Sequence, residues 1–303
     1  MRGNASGSKG GNDRGHRHGP PAQPMSQPPD AKSAAAPTWL RDLAGAWIFY
    51  SVLPAWPWPE PRFRRIARFA PWIGAVLGGL QGLMWWGLEG RVPPLAQVAL
   101  VLATGLLLSG GLHMDGAMDT ADGLAAGDRL LEAMEDSRVG AGGTQALALL
   151  LLLRTAALAT LGASAAVALP WAALWGRVAP LVAMARFPYL RPGGSAAFHR
   201  EHWAGLAVEL RPTALLVVAL MVAPLTLIQG AGAGWVLPGS GAAMAVLAGL
   251  AGLLPALVVP LWLGRRLGGH SGDSYGACVE WTEALALLLS AALSLGGTAS
   301  AAS

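Results

Sequence analysis

Residues 144–162 read TQALALLLLLRTAALATLG and residues 164–185 read SAAVALPWAALWGRVAPLVAMA. Each run is near the ~20 apolar residues that a helix needs to cross a bilayer, and each holds one charge, Arg154 in the first and Arg177 in the second. Hydrocarbon leaves an unpaired backbone N–H or C=O without a partner, so runs of this kind cross as helices. Reading outward, comparable runs lie at about 71–89, 93–112, 212–230, 241–263 and 277–296. Together they predict an all-α, polytopic integral membrane helix bundle with about seven transmembrane helices. The composition agrees: of 303 residues, 53% are hydrophobic and 13% charged, against ~25% charged in a soluble domain, and the mean hydropathy is +0.46. That excludes an ordinary cytosolic enzyme, a disordered chain and a nucleic-acid-coating protein.

The flanks set the rest of the plan. Residues 1–36 are rich in Gly, Ser, Pro and Ala and hold no apolar core of signal-peptide length, so they read as a disordered low-complexity tail. Residues 37–303 read as a single membrane-embedded catalytic domain. Trp39 to Leu53 is apolar but short, and Arg41 and Asp42 interrupt it. It fits an N-terminal interfacial or re-entrant helix, which Pro54, Pro57, Pro59 and Pro61 then end. The net charge of +4 and the pI near 9.8 come from arginines between the spans. Arg62, Arg64, Arg65 and Arg68 precede the first span, Arg186, Arg191, Arg200 and Arg211 follow the fourth, and Arg265 and Arg266 follow the sixth. Every second connection is basic, which places those connections on the cytoplasmic side of a bacterial inner membrane. The lone Cys278 permits no internal disulfide.

One cytoplasmic connection departs in sign. Residues 113–142 carry Asp115, Asp119, Asp122, Asp128, Glu132, Glu135 and Asp136 against Arg129 and Arg138. On a helix, Asp115, Asp119 and Asp122 fall at i, i+4 and i+7 and share one stripe, with His113 pointing roughly the other way. Ionised carboxylates at that spacing repel one another, and a divalent cation removes the conflict. Oxygen-only sites with few protein ligands suit Mg²⁺ shared with a phosphate. Asp128 lies off the stripe, as a further ligand or a helix cap. A solvated acidic face and a cation transporter are the alternatives, although transport acids belong nearer mid-bilayer.

The stretch His113-Met-Asp115-Gly-Ala-Met-Asp119-Thr-Ala-Asp122-Gly-Leu, with Asp128-Arg129 and Glu135-Asp136-Ser-Arg138-Val-Gly140, resembles the signature of the cobalamin synthase (adenosylcobinamide-GDP ribazoletransferase) family. Phe49 to Pro54 with Ala70-Pro-Trp-Ile-Gly74, Arg186 to Gly194, and Gly269-His-Ser-Gly-Asp273-Ser-Tyr-Gly-Ala277 are similar to its other motifs. The resemblance covers roughly residues 38–296. Ser271 stands where a Thr is usual, and Met118 and Leu190 replace smaller residues. The resemblance implies an Mg²⁺-dependent membrane enzyme. It would join α-ribazole or its 5′-phosphate to adenosylcobinamide-GDP with release of GMP, the last assembly step of adenosylcobalamin. CDP-alcohol phosphotransferases are the nearest competitor, since Asp119-Thr-Ala-Asp122-Gly123-Leu-Ala-Ala126 follows their motif until Gly127 replaces an Arg.

Displacement at a diphosphate needs charge neutralisation and an aligned hydroxyl. Asp115, Asp119, Asp122 and Asp128 are the expected metal ligands. Arg186 and Arg191 suit bidentate contacts to the diphosphate, and Asp136 and Arg138, which the family motif includes, either contact substrate or pair with each other. Asp273 either orients the attacking hydroxyl, binds a second metal or caps the last helix. His113 is a general base or a hydrogen-bond orienter. His199, Glu201 and His202 are too weak a pattern for a metal site. Arg154 and Arg177 need partners inside the bundle; for Arg154, near the centre of its helix, Glu280 or Glu283 are the candidate counter-ions. Oligomeric state, including a homo-oligomer, stays open.

Overall fold

The computed structural model describes residues 36–191, 193–194, 196–230 and 239–301; the expected tail up to residue 35 and the connection 231–238 lie outside the described residues. Among the described residues all regular structure is helical, apart from one parallel bridge between Tyr189 and His270. The helices are α1 Thr38–Tyr50, α2 Ala70–Leu88, α3 Pro94–Leu108, α4 Leu112–Ala126, α5 Leu130–Ala133, α6 Ala141–Leu161, α7 Ala165–Arg186, α8 Phe198–Glu201, α9 Leu206–Glu209, α10 Arg211–Gly230, α11 Gly239–Ala251, α12 Leu253–Leu267 and α13 Gly272–Ala301.

Local chemistry accounts for the boundaries that matter to the site. Prolines open α2 and α3, where a missing N–H leaves nothing unpaired. Gly110 and Gly111 adopt positive φ of 64° and 72°, which only glycine does without strain, and there the chain bends by 91° between α3 and the acidic segment. The expected span 93–112 therefore ends at Leu108, and the acidic connection is largely helix rather than loop. The run 241–263 is likewise divided at Gly252, between α11 and α12.

Three helical segments among the described residues are long and apolar enough to cross a membrane: Ala141–Arg186, Ala245–Leu267 and Gly272–Leu295. The bent pair around residue 110 makes a fourth if it is one span. The chain is thus an apolar helical protein of membrane type, with fewer helices meeting that measure than the seven runs suggested. α10 meets it only as a short apolar helix, Arg211–Val222. The first segment is itself two helices. Gly162, at φ 53°, interrupts it, and Arg154 and Arg177, ~34 Å apart on a straight helix, both reach the carboxylate of Glu283. α6 and α7 are therefore two helices that pack separately on α13.

α13 is the central post, packed against α7, α4, α6, α12 and α11. α2 lies along α7 through a stripe of Gly74, Gly78 and Gly82. A Cβ at these positions would come within 2.3, 2.6 and 2.3 Å of the carbonyl oxygens of Ala173, Leu169 and Ala166. Small residues four apart are how helices without a hydrophobic drive between them gain van der Waals contact. Trp85, Val101, Leu158, Trp171, Leu174 and Leu287 form the core of the bundle, while Leu83, Leu107, Leu152 and Leu215 face outward.

The intramembrane charges are paired as required. Arg154 meets Glu280 at 2.8 Å and Glu283 at 3.2 Å, and Arg177 meets Glu283. At the N-terminus, fully buried Asp42 of α1 accepts from Arg62 at 2.7 Å and Arg68 at 3.0 Å, and Arg65 pairs with buried Glu209 at 2.7 Å. Arg62 and Arg68, read from sequence as topology signals, also tie α1 to the segment that opens α2, and Arg65 ties that segment to α9.

Candidate active site

The site forms where α4 crosses the start of α13. A Cβ on Gly116 would fall 2.6 Å from the Asp273 carbonyl oxygen, and one on Gly276 would fall 2.9 Å from that of His113. Two glycines thus let the backbones touch, and they bring the acidic stripe against a segment more than a hundred residues later. α4 is helical throughout Asp115, Asp119 and Asp122, so the three share one face. His113 turns inward and is buried, whereas Asp115 is exposed.

Asp273 projects from the first turn of α13 toward that stripe. The helix is capped by other residues: Ser271 Oγ accepts from the Ser274 amide at 3.3 Å, and Ser274 Oγ accepts from the Ser271 amide at 2.8 Å. This reciprocal pair satisfies two backbone donors at the helix start. Asp273 is left to accept from Arg191 at 2.9 Å and from the Ser271 hydroxyl at 3.4 Å. Arg191 also donates to the Leu131 carbonyl and pairs with Glu135 at 3.5 Å, which ties the acidic segment to α13.

Electrostatics bind the cluster together. Asp119 is half-buried, and burial followed by the charges of Asp115, Asp273 and Asp122 raises its carboxyl to about pKa 6, with Arg191 opposing. Like charges crowd there without enough cation to balance them. Asp122 has a further task, since its oxygens accept from the amides of Gly140 and Gly143 at 2.8 and 2.9 Å and hold the start of α6. Asp128 is exposed on the turn after α4 and is not among the charges that act on Asp119. No three His, Cys, Asp or Glu side chains among the described residues stand as a ready-made ion shell.

The remaining expected residues are not among the charges that act on Asp119. Asp136 and Arg138 pair with each other at 2.7 Å on an exposed turn, and Arg138 holds the Asp136 carboxyl down near pKa 2. Arg186 ends α7, exposed.

A cleft leads from Asp115 and Asp273 into the bundle between α1, α4, α7 and α13. Phe49, Leu181, Met184 and Val279 give it apolar walls, and Tyr50, His113, Arg177 and His199 give it polar ones. Sequence reading had assigned no role here to Tyr50, Arg177 or His199. An arginine inside an apolar run was the available signal for Arg177, but the placement of Ala196 and His199 on the cleft wall left no trace in hydrophobic periodicity.

The family model described as cobalamin-5-phosphate synthase matches residues 42–291. The chain belongs to the cobalamin-5-phosphate synthase family. Among curated relatives, the adenosylcobinamide-GDP ribazoletransferases of Prochlorococcus marinus strains MIT 9303 and MIT 9313 are 58% and 57% identical, over 86% and 85% of this chain and 99% and 98% of theirs. That of Thermosynechococcus vestitus is 42% identical over 82% of this chain and 94% of its own. No solved structure matches the chain. In this member of the cobalamin-5-phosphate synthase family, the matched region contains the α4 stripe, Arg191 and Asp273, and leaves out the N-terminal tail. The transporter and CDP-alcohol phosphotransferase alternatives give way to this family.

Proposed function

We propose that the chain joins α-ribazole or its 5′-phosphate to adenosylcobinamide-GDP and releases GMP, forming the last bond of adenosylcobalamin. The observation that carries this reading is the meeting of Asp115, Asp119, Asp273 and Arg191 at the α4/α13 crossing, where acids, a phosphate-binding cation and a cleft for a second substrate share one place. In the reaction a riboside hydroxyl oxygen attacks the phosphorus that bears cobinamide. The bridging P–O bond to the second phosphate breaks, GMP leaves, and the hydroxyl proton passes to a base.

The donor set suits Mg²⁺ in its chemistry, because Asp119 sits among uncompensated carboxylates and hard oxygen donors are what that ion takes. Asp115 and Asp119 would hold it, with Asp122 at the far end of the stripe and Asp128 in reserve on the adjoining turn. Bound there, Mg²⁺ supplies charge neutralisation for the diphosphate. Asp273 receives the hydroxyl proton, freed for that task by the Ser271/Ser274 cap. Arg191 exchanges its Asp273 partner for diphosphate oxygen, which planar guanidinium recognises in bidentate fashion. Arg186, Asp136 and Arg138 line the approach of the nucleotide, and His113 faces the acceptor from the cleft wall.

We further infer seven crossings, α2, α3, α6, α7, α10, the α11–α12 pair and α13, with α1 at the interface. The site then faces the cytoplasm of a bacterial inner membrane, where nucleotide substrates are found. The alternation of basic connections supports that orientation. Detergent-solubilised protein given adenosylcobinamide-GDP, α-ribazole 5′-phosphate and Mg²⁺ is expected to form a cobalamin product and GMP in equal amounts. GMP release without a corrinoid product would mark the chain as a hydrolase and defeat this reading.

A further inference from the structure

One residue, His270, joins α12, the segment that carries Arg191 and the start of α13. Gly268, at φ 75°, turns the chain after α12, and His270 follows, fully buried. Its backbone makes the bridge to the Arg191 segment. The His270 amide donates to the Pro188 carbonyl at 2.9 Å, and its carbonyl accepts from the Leu190 amide at 2.7 Å. A Cβ on Gly269 would stand 2.7 Å from the Pro188 carbonyl oxygen, so the two segments touch. Arg191 is the next residue along, and its guanidinium reaches Asp273 at 2.9 Å.

The side chain of His270 acts on Asp273 itself. A carbonyl oxygen only accepts, so the Pro260 carbonyl, 3.1 Å from His270 Nε2, fixes a proton on that nitrogen. Burial lowers the imidazole to about pKa 4, which leaves Nδ1 bare as an acceptor for the Ser274 hydroxyl at 3.0 Å. That hydroxyl has a second acceptor, the Ser271 carbonyl at 3.1 Å, so the imidazole decides where its proton goes. Ser274 Oγ accepts from the Ser271 amide at 2.8 Å, and Ser271 Oγ accepts from the Ser274 amide at 3.3 Å. The Ser271 hydroxyl then donates to Asp273 at 3.4 Å. A continuous series of bonds thus runs from α12 through the imidazole and two serines to the carboxylate.

We propose that His270 is a positioning residue: its backbone holds the Arg191 segment and its imidazole, through Ser274 and Ser271, holds Asp273, so that the base and the phosphate-binding cation keep one separation. This rests on the roles given above to Asp273 and Arg191. The test measures initial rates of cobalamin formation in His270→Leu. That change removes both ring bonds and strands neither partner, since the Ser274 hydroxyl turns to the Ser271 carbonyl and the Pro260 carbonyl lies inside α12. It should lower kcat by about tenfold to hundredfold, the scale of a small misplacement of a reacting group, with the KM for each substrate moved by less than about threefold. His270→Asn, whose amide oxygen can accept from Ser274 in place of Nδ1, should recover most of that loss. In an Asp273→Asn background, His270→Leu should cost less than about twofold more, because a residue that acts through Asp273 is not additive with it. If His270→Leu does not fold, Ser274→Ala cuts the series at the next bond and takes its place in the same cycle. An unchanged kcat, a loss that appears as a raised KM, or the same fold-loss with and without the Asp273 carboxylate would overturn the proposal. Absence of product from the parent would instead overturn the underlying reaction, and parent-like turnover in Asp273→Asn would overturn the role of Asp273 as base.

Discussion

Asp273 and Asp119 are both acids at the α4/α13 crossing, yet their surroundings differ, and so do the roles proposed for them. Asp273 is relieved of helix capping by Ser271 and Ser274 and paired with Arg191, so Asp273→Asn should melt as the parent does. Losing a positioned acid–base group should still lower kcat by at least ~100-fold. Asp119→Asn removes one charge from a crowded stripe. It should also spare folding, but its loss of turnover should be partly recovered at higher Mg²⁺, while that of Asp273→Asn should not. Parallel rescue of both by Mg²⁺ would merge the two roles. At this scale the sequence was legible where spacing alone decides, as with the aspartate stripe. Capping of α13 was not, because Asp273 and Ser271 are both good caps and only the three-dimensional bonds distinguish them.

Helix packing rests on close approaches that hydropathy does not reveal. The α2 stripe of Gly74, Gly78 and Gly82 faces the backbone of α7, whereas neighbouring Gly79 has nothing within 4 Å of where a Cβ would stand. Gly78→Ala should therefore destabilise by ~1–3 kcal/mol through overpacking. Gly79→Ala, on the open face of the same helix, should be neutral or stabilising by ~0.4–1 kcal/mol. Thermal unfolding of the pair in one detergent decides the point, and equal shifts would show that α2 does not lie on α7 through this face. The existence of most helices was readable from apolar runs, and the need of Arg154 for Glu280 or Glu283 followed from the energetics of intramembrane charge, whereas the sharing of Glu283 by Arg177 did not. The 91° bend after α3 was not readable. Gly110-Gly111 signals a turn, but its direction depends on the docking of α4 against α13 through Gly116 and Gly276.

Across the whole molecule, the connections on the arginine-rich side are folded parts rather than mere tethers, and their stability should depend on pH. Burial pushes the imidazoles of His199 and His270 down to about pKa 4, against ~6.5 when unfolded. The folded protein then binds fewer protons between those values. The stabilisation is complete above pH 6.5 and is lost as pH falls through that window, on the order of 3 kcal/mol per histidine at pH 4. A melting temperature that is flat from pH 7.5 to 5 would contradict the burial of both rings. The same arrangement gathers Asp115, Asp119, Arg191 and Asp273 at one end of the bundle, so one membrane face should hold all of the chemistry. Everted and right-side-out membrane vesicles carrying the protein test that directly when adenosylcobinamide-GDP, α-ribazole 5′-phosphate and Mg²⁺ are added outside. Everted vesicles should form the cobalamin product and right-side-out vesicles should form none until permeabilised; product formed at equal rates by sealed right-side-out vesicles would contradict the account.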